Sequence, residues 1–112
     1  MRHNLDFYQI ITNHADCIEQ ELRALGAWQT DPLPAAAYQS RQAFFADTMT
    51  FYQWLQFVLL PRVREIIGSG GEFPSESSVA TYAIRELDGN DDAGALILAL
   101  SEFDEAIENA AR

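Results

Sequence analysis

The chain contains no lysine, and its seven arginines face 17 carboxylates, for a formal net charge of −10. Most of the excess lies late in the chain, because the net charge is −1 up to Arg64 and −9 beyond it. Direct nucleic-acid binding needs clustered basic side chains, and the sequence has no such cluster. An acidic face instead favours a basic protein partner, although net charge also simply promotes solubility.

Cysteine is scarce as well, since Cys17 is the single one in the chain. One cysteine excludes an internal disulfide and zinc-ribbon spacing, and it fits a reducing compartment. The sequence starts without the basic-then-apolar pattern of a secretory signal. Its longest apolar run, residues 57–61, is far too short to span a bilayer. We therefore expect a cytoplasmic protein.

The apolar residues recur at helical spacing in two long stretches. The spacings alternate between 3 and 4 residues from Tyr8 to Leu25 and from Ala93 to Ala110. Such spacing predicts two amphipathic helices, the first ended by Gly26 and the second capped by Asn90 or Asp91. A shorter helix is predicted at about 79–87, with Ser78 as its cap.

A third stretch, Phe44 to Arg64, is apolar almost all the way round a helix and belongs at the centre of a bundle. Thr50 and Gln53 form the pattern of a capping box, so this helix should begin at Thr50. Prolines 32 and 34 interrupt the chain between Trp28 and Arg41, which predicts a loop. The sequence thus predicts one all-α domain over residues 1–112, an up-and-down four-helix bundle with a long loop between helices 1 and 2.

Uncommon short combinations of residues also occur at fixed spacing in the central stretch and just before it. They are Ser40, Phe44-Phe45, Asp47-Thr48-Met49, Trp54-Leu55-Gln56 and Leu60-Pro61-Arg62, with Trp28, Asp31, Tyr82 and the region from Leu100 to Asp104 fitting the same pattern. Over nearly its whole length the chain resembles the YqcC-like family of small bacterial proteins. The resemblance implies a small four-helix bundle whose gene often lies beside that of a tRNA pseudouridine synthase. It brings no established catalytic residues.

Arg62 is the most unusual position in the central helix. At about 100° per residue it shares the apolar stripe of Phe51, Leu55 and Val58, if the helical phase continues past Pro61. A buried guanidinium must meet a carboxylate, a free backbone carbonyl or a bound anion. Full exposure of Arg62 would show that the phase is reset and would remove this argument.

Other residues offer weaker indications of chemistry. Asp47 invites a general-base interpretation, but a position near the positive end of the central helix explains it without chemistry. His14 and Cys17 lie one turn apart, yet a zinc site needs three or four ligands. We predict no catalytic residues, metal or cofactor. The candidate ligand-binding or structural positions are Asp47, Trp54, Gln56, Arg62 and Tyr82.

Two classes of function remain. The first is a non-enzymatic, acidic interaction module that binds a basic protein, with an RNA-modifying enzyme as one candidate and an accessory role in tRNA pseudouridine synthesis. Its partner-binding residues would be Glu102, Asp104, Glu105 and Glu108. The second is a protein that binds a small anion or other small molecule between helices near Arg62. The oligomeric state is left open.

The charge pattern generates a first prediction. At micromolar protein and physiological salt we expect no binding to tRNA, because so few basic groups cannot displace the counterions of a phosphate backbone. A gel-shift titration measures this directly. A shift that weakens steeply as salt rises would contradict it.

Overall fold

The computed structural model describes residues 5–110, and every regular element in that range is helical. The four main helices are α1 (Leu5–Ala24), α2 (51–69), α3 (Val79–Glu86) and α4 (Gly94–Ala110). Helix α2 consists of three consecutive segments, Phe51–Trp54, Leu55–Leu59 and Leu60–Ser69. Single 3-10 turns occupy Ala35–Tyr38, Ala43–Phe45 and Asp91–Ala93. Over residues 5–110, no helix has both the length and the apolarity to cross a membrane.

The core lies between α1 and α4, which form the most extensive helix contact, with α2 and α3 packed against them. The stripes predicted for α1 and α4 are confirmed, because their central apolar residues are almost fully buried. They are Ile11, Ala15, Ile18 and Leu22 in α1, and Leu96, Leu100, Phe103 and Ile107 in α4. The predicted four-helix bundle and its long loop between helices 1 and 2 are therefore confirmed.

Helix α2 begins as predicted but changes its winding after one turn. The hydroxyl of Thr50 accepts a hydrogen bond from the Gln53 N–H at 3.1 Å, and the Gln53 side chain accepts one from the Thr50 N–H at 2.9 Å. Residues Leu55–Leu59 then form a π-helical turn, in which the Leu60 N–H donates to the Leu55 carbonyl. This wider turn precedes Pro61, where an α-helix would lose a hydrogen bond and the ring would press on the Phe57 carbonyl.

The π-helical turn shifts the buried stripe by one residue. The stripe runs through Phe51, Leu55, Leu60 and Val63 instead of continuing through Val58 to Arg62. The helical phase therefore does not continue past Pro61, so the condition for burying Arg62 is not met, and its side chain is exposed. The physical reason is that one additional residue in the turn rotates everything beyond it by about 100°.

Gln56 of α2 is a buried polar residue, with only 8% of its surface exposed. Its side-chain amide donates to the Gln29 carbonyl at 2.7 Å and accepts from the Gln29 N–H at 3.0 Å. The Gln53 amide donates to the Gln29 side chain at 3.1 Å. These contacts attach the loop after Trp28 to α2 and satisfy the polar atoms that burial removes from water.

Asp104 of α4 caps the N-terminus of α3. One carboxylate oxygen accepts from the Val79 N–H at 3.1 Å and from the Ser77 hydroxyl, and the other accepts from the Ala80 N–H at 2.8 Å. Ser78, predicted as the cap, makes no side-chain cap hydrogen bond. The capping carboxylate thus comes from a distant helix, and its charge suits the positive end of α3.

The segment between α2 and α3 is held in place by contacts with α1 and α4. Gly70 ends α2 with a left-handed backbone, φ 69°, which favours glycine. The Tyr8 hydroxyl then donates to the Gly71 carbonyl at 2.6 Å, and the Phe7 and Phe73 rings pack edge to face at 5.7 Å. This segment, residues 70–78, therefore lies against α1 at one end and α4 at the other.

Arg64 links α2 to α1 through two carboxylates. Its guanidinium lies 3.1 Å from Asp16 and 2.8 Å from Glu19, which also pairs with Arg23 at 2.9 Å. Partial burial raises the pKa of Glu19, but the hydrogen bonds and charges of the two arginines outweigh burial and lower the pKa overall. This pairing therefore stabilises the fold above the unfolded-state pKa, and its contribution is lost as the pH falls through the lowered pKa.

The Asp104 cap generates a second prediction. Asp104→Ala leaves two backbone N–H groups and a hydroxyl without their acceptor, so we expect a loss of about 2 kcal/mol in the free energy of unfolding. For a chain of this size that corresponds to a melting temperature lower by roughly 10 °C. Urea denaturation followed by circular dichroism measures it.

Glu105→Ala is the matched control, because Glu105 follows Asp104 directly and is exposed. We expect its effect to stay within about 0.5 kcal/mol. Equal destabilisation by the two substitutions would contradict the assigned cap.

Candidate functional site

Two concave surfaces stand out among residues 5–110. The first, which we call the acidic groove, has a volume of about 570 Å³ and lies between α1 and α4; its lining is Asp6, Phe7, Ile10, His14, Glu102, Glu105, Ala106 and Asn109. The second, the aromatic cavity, has a volume of about 320 Å³ and lies between α2, α4 and residues 73–79. Its lining includes Phe44, Trp54, Leu59, Arg62, Val63, Ile66, Phe73, Pro74, Glu76, Ser77, Ser78, Val79, Phe103 and Ile107.

The acidic groove combines negative charge with apolar surface. Asp6, Glu102 and Glu105 are exposed carboxylates on its two sides. Ile10 is 49% exposed, which is high for an isoleucine beside the core. Carboxylates around an accessible apolar side chain can hold a chain segment that is itself both basic and apolar.

The aromatic cavity is mainly apolar, with charges where its lining is exposed. Phe44, Trp54 and Phe73 are half-buried, so parts of their surfaces remain open to solvent beside buried Phe103. The exposed charged residues in the lining are Arg62 and Glu76. An apolar cleft with few polar groups is the usual form of a small-molecule site.

Phe44 is placed in the cavity wall by unusual backbone geometry. Phe44 and Phe45 have φ values of 58° and 53°, a left-handed conformation that non-glycine residues rarely adopt. The Phe44 ring stacks on Tyr82 with centroids 3.8 Å apart and meets Trp54 edge to face at 4.6 Å. Ring contacts thus hold this segment against α2 and α3, and no residue pattern in the sequence indicates the left-handed pair.

The five predicted ligand-binding or structural positions do not form one site. Trp54 and Arg62 line the aromatic cavity. Tyr82 is not part of the lining, but its ring stacks on Phe44, which is. Gln56 is used by the loop contact with Gln29, as described above.

Asp47 makes a local contact in the loop before α2. Its carboxylate accepts a hydrogen bond from the hydroxyl of Ser40, and that hydroxyl in turn accepts from the Gln42 N–H at 3.0 Å. The α2 cap is formed by Thr50 instead. Asp47 and Ser40 are therefore partners, and this contact stabilises the loop that carries Phe44.

The four predicted partner-binding acids face two directions. Glu102 and Glu105 line the acidic groove. Asp104 is 8% exposed and caps α3, so it is not accessible to a partner, and Glu108 lies 3.5 Å from the Ser77 N–H on the same side. Sequence spacing missed Asp6, Ile10 and His14, because it gives no information on which helix packs beside α4.

Comparison with known proteins connects this geometry to a family. The sequence model of the DUF446 family, described as tRNA pseudouridine synthase C, matches residues 10–106. The Escherichia coli protein described as uncharacterized protein YqcC is 34% identical over 96 residues, which cover 80% of this chain and 87% of that protein. An uncharacterized Haemophilus influenzae protein is 33% identical over 69 residues, covering 62% of this chain and 65% of that protein.

A third relative is of a different size. A Pectobacterium carotovorum protein named tRNA pseudouridine synthase C is 40% identical over 52 residues, which cover 46% of this chain but only 14% of that protein.

A solved structure agrees with the fold. The solution NMR structure of YqcC from E. coli superposes with a TM-score of 0.83 at 27% identity, covering 95% of this chain and 92% of that one. The matching family model, the similarity to the E. coli relative over most of both chains and the shared bundle lead to the same assignment, which is that the chain belongs to the YqcC-like family, DUF446.

Proposed function

We propose that this chain is a non-enzymatic interaction module that binds a basic, amphipathic helix of a tRNA pseudouridine synthase in the acidic groove. The observation that carries the proposal is the set of three exposed carboxylates, Asp6, Glu102 and Glu105, around the half-exposed Ile10. The groove runs between two helices, a form that commonly receives a third helix through spaced apolar side chains.

Charge and apolar surface have separate tasks in such a contact. The net charge of −10 attracts a basic partner over a distance, and this steering mainly raises the association rate. Ile10 offers an apolar contact whose burial slows dissociation once the partner is in place. The proposed partner therefore has Lys or Arg on both sides of an apolar stripe.

The identity of the proposed partner is supported by the relatives. The DUF446 description and the Pectobacterium protein both carry the name of tRNA pseudouridine synthase C. The segment similar to this chain makes up 14% of the Pectobacterium protein, so most of that enzyme lies outside the similarity. This supports a module associated with the enzyme in preference to a synthase in its own right. We propose that the module acts in the cytoplasm.

The third prediction concerns association with the tRNA pseudouridine synthase C of the same bacterium. In surface plasmon resonance at low salt, where screening is weak, we expect Glu102→Gln with Glu105→Gln to lower the association rate about tenfold. The reason is that neutralising these carboxylates removes the attraction that steers the partner to the groove. Ile10→Ser should mainly raise the dissociation rate.

Glu86→Gln with Asp88→Asn is the control, since both are exposed, lie outside the groove and change the net charge equally. We expect this pair to lower the association rate by less than about twofold. Equal effects of the two pairs on the association rate would show that the overall charge, and not the groove, attracts the partner. Absence of synthase binding would contradict the proposal.

A further inference from the structure

The aromatic cavity is separate from the acidic groove, and we propose that it is a binding site for a small amphipathic carboxylate, a molecule with an aliphatic or aromatic body and one terminal carboxylate. The proposal rests on three features of the cavity: its apolar walls, its size, and the position of Arg62. It is independent of the proposed partner contact, because the two surfaces share no lining residue.

The walls and the volume determine the body of the ligand. Phe44, Trp54 and Phe73 leave part of their ring surface open towards the cavity, while Phe103 and Val63 contribute buried apolar surface. A ligand body that covers these surfaces releases water from them. The volume of about 320 Å³ lies near the lower end of the usual range for ligand pockets. The body is therefore small and apolar.

Arg62 determines the charge of the ligand's end. The ion pairs between side chains of residues 5–110 use Arg23 and Arg64, and the guanidinium of Arg62 takes part in none of them and in no side-chain hydrogen bond among those residues. A guanidinium presents a planar fork of donors that matches both oxygens of a carboxylate. The burial argument from the sequence does not apply to Arg62, and its place in an apolar cavity lining replaces it.

Glu76 provides a check on the sign of the charge. It also lines the cavity and is exposed, and no ion pair with Arg62 occurs among the side chains described. A carboxylate ligand is attracted by Arg62 and repelled by Glu76, whereas a cationic ligand would respond in the opposite way. Removing each charge therefore distinguishes the two.

The test uses anilinonaphthalene sulfonate, a fluorescent probe with apolar rings and one anionic group, on the folded full chain. We expect saturable binding of one probe per chain, with emission rising as the rings leave water. Octanoate should displace the probe at a concentration about tenfold lower than 1-octanol does, because only octanoate can pair with Arg62. Absence of saturable binding, or equal displacement by the two, would overturn the proposal.

Substitutions locate the probe. Arg62→Gln should weaken binding about tenfold and Glu76→Gln should tighten it about threefold, whereas Arg85→Gln, an exposed arginine outside the cavity, should change it less than twofold. Leu59→Trp should fill the cavity and abolish binding. Ser78→Trp does the same from the exposed side, in case the first variant fails to fold by circular dichroism.

Two results would contradict the site. One is a reversed sign, with Glu76→Gln weakening binding and Arg62→Gln tightening it. The other is unchanged probe binding in a folded cavity-filling variant.

Discussion

The position of every side chain beyond Leu59 in α2 depends on one π-helical turn. By taking up an additional residue before Pro61, the turn places Leu60 and Val63 in the core and rotates Arg62 out to the lining of the aromatic cavity. A continuous α-helix would place the guanidinium of Arg62 in the buried stripe, where an unpaired charge costs several kcal/mol, roughly the whole stability of a small domain. The turn therefore makes a proline-containing sequence compatible with an apolar centre.

Polar contacts between distant parts of the chain complete the bundle. Gln56 fastens the loop after Trp28 to α2, and Asp104 caps α3 from α4, so each polar group that is buried satisfies groups in another element. Because Asp104 serves the fold, the acidic character of α4 is divided between a structural side and the groove side. The two concave surfaces consequently differ in character: one is acidic and open, and the other is mainly apolar, with one arginine that forms no ion pair among residues 5–110.

Local sequence patterns predicted what depends on neighbours in the chain: the stripes of α1 and α4, the Thr50 capping box and the loop between Trp28 and α2. They failed where the decisive contact joins residues far apart. The Asp104 cap spans about two dozen residues, and the left-handed pair at Phe44 depends on rings from α2 and α3. Pro61 gives a local signal that the helix is disturbed, because proline lacks a backbone donor. How the helix accommodates the proline, and so which way its phase shifts, depends on packing against other helices.

Thiol reactivity in a Cys17→Ser background tests the shifted register of α2 most directly. Leu60→Cys and Arg62→Cys, each present alone, are treated with a thiol reagent in the folded protein, and their rates are compared with those in denaturant. The π-helical turn predicts a slow reaction at position 60, which is 0% exposed, and a fast one at the exposed position 62. A continuous α-helix places position 60 opposite the buried stripe and position 62 within it. Fast reaction at 60 with protection at 62 would contradict the account.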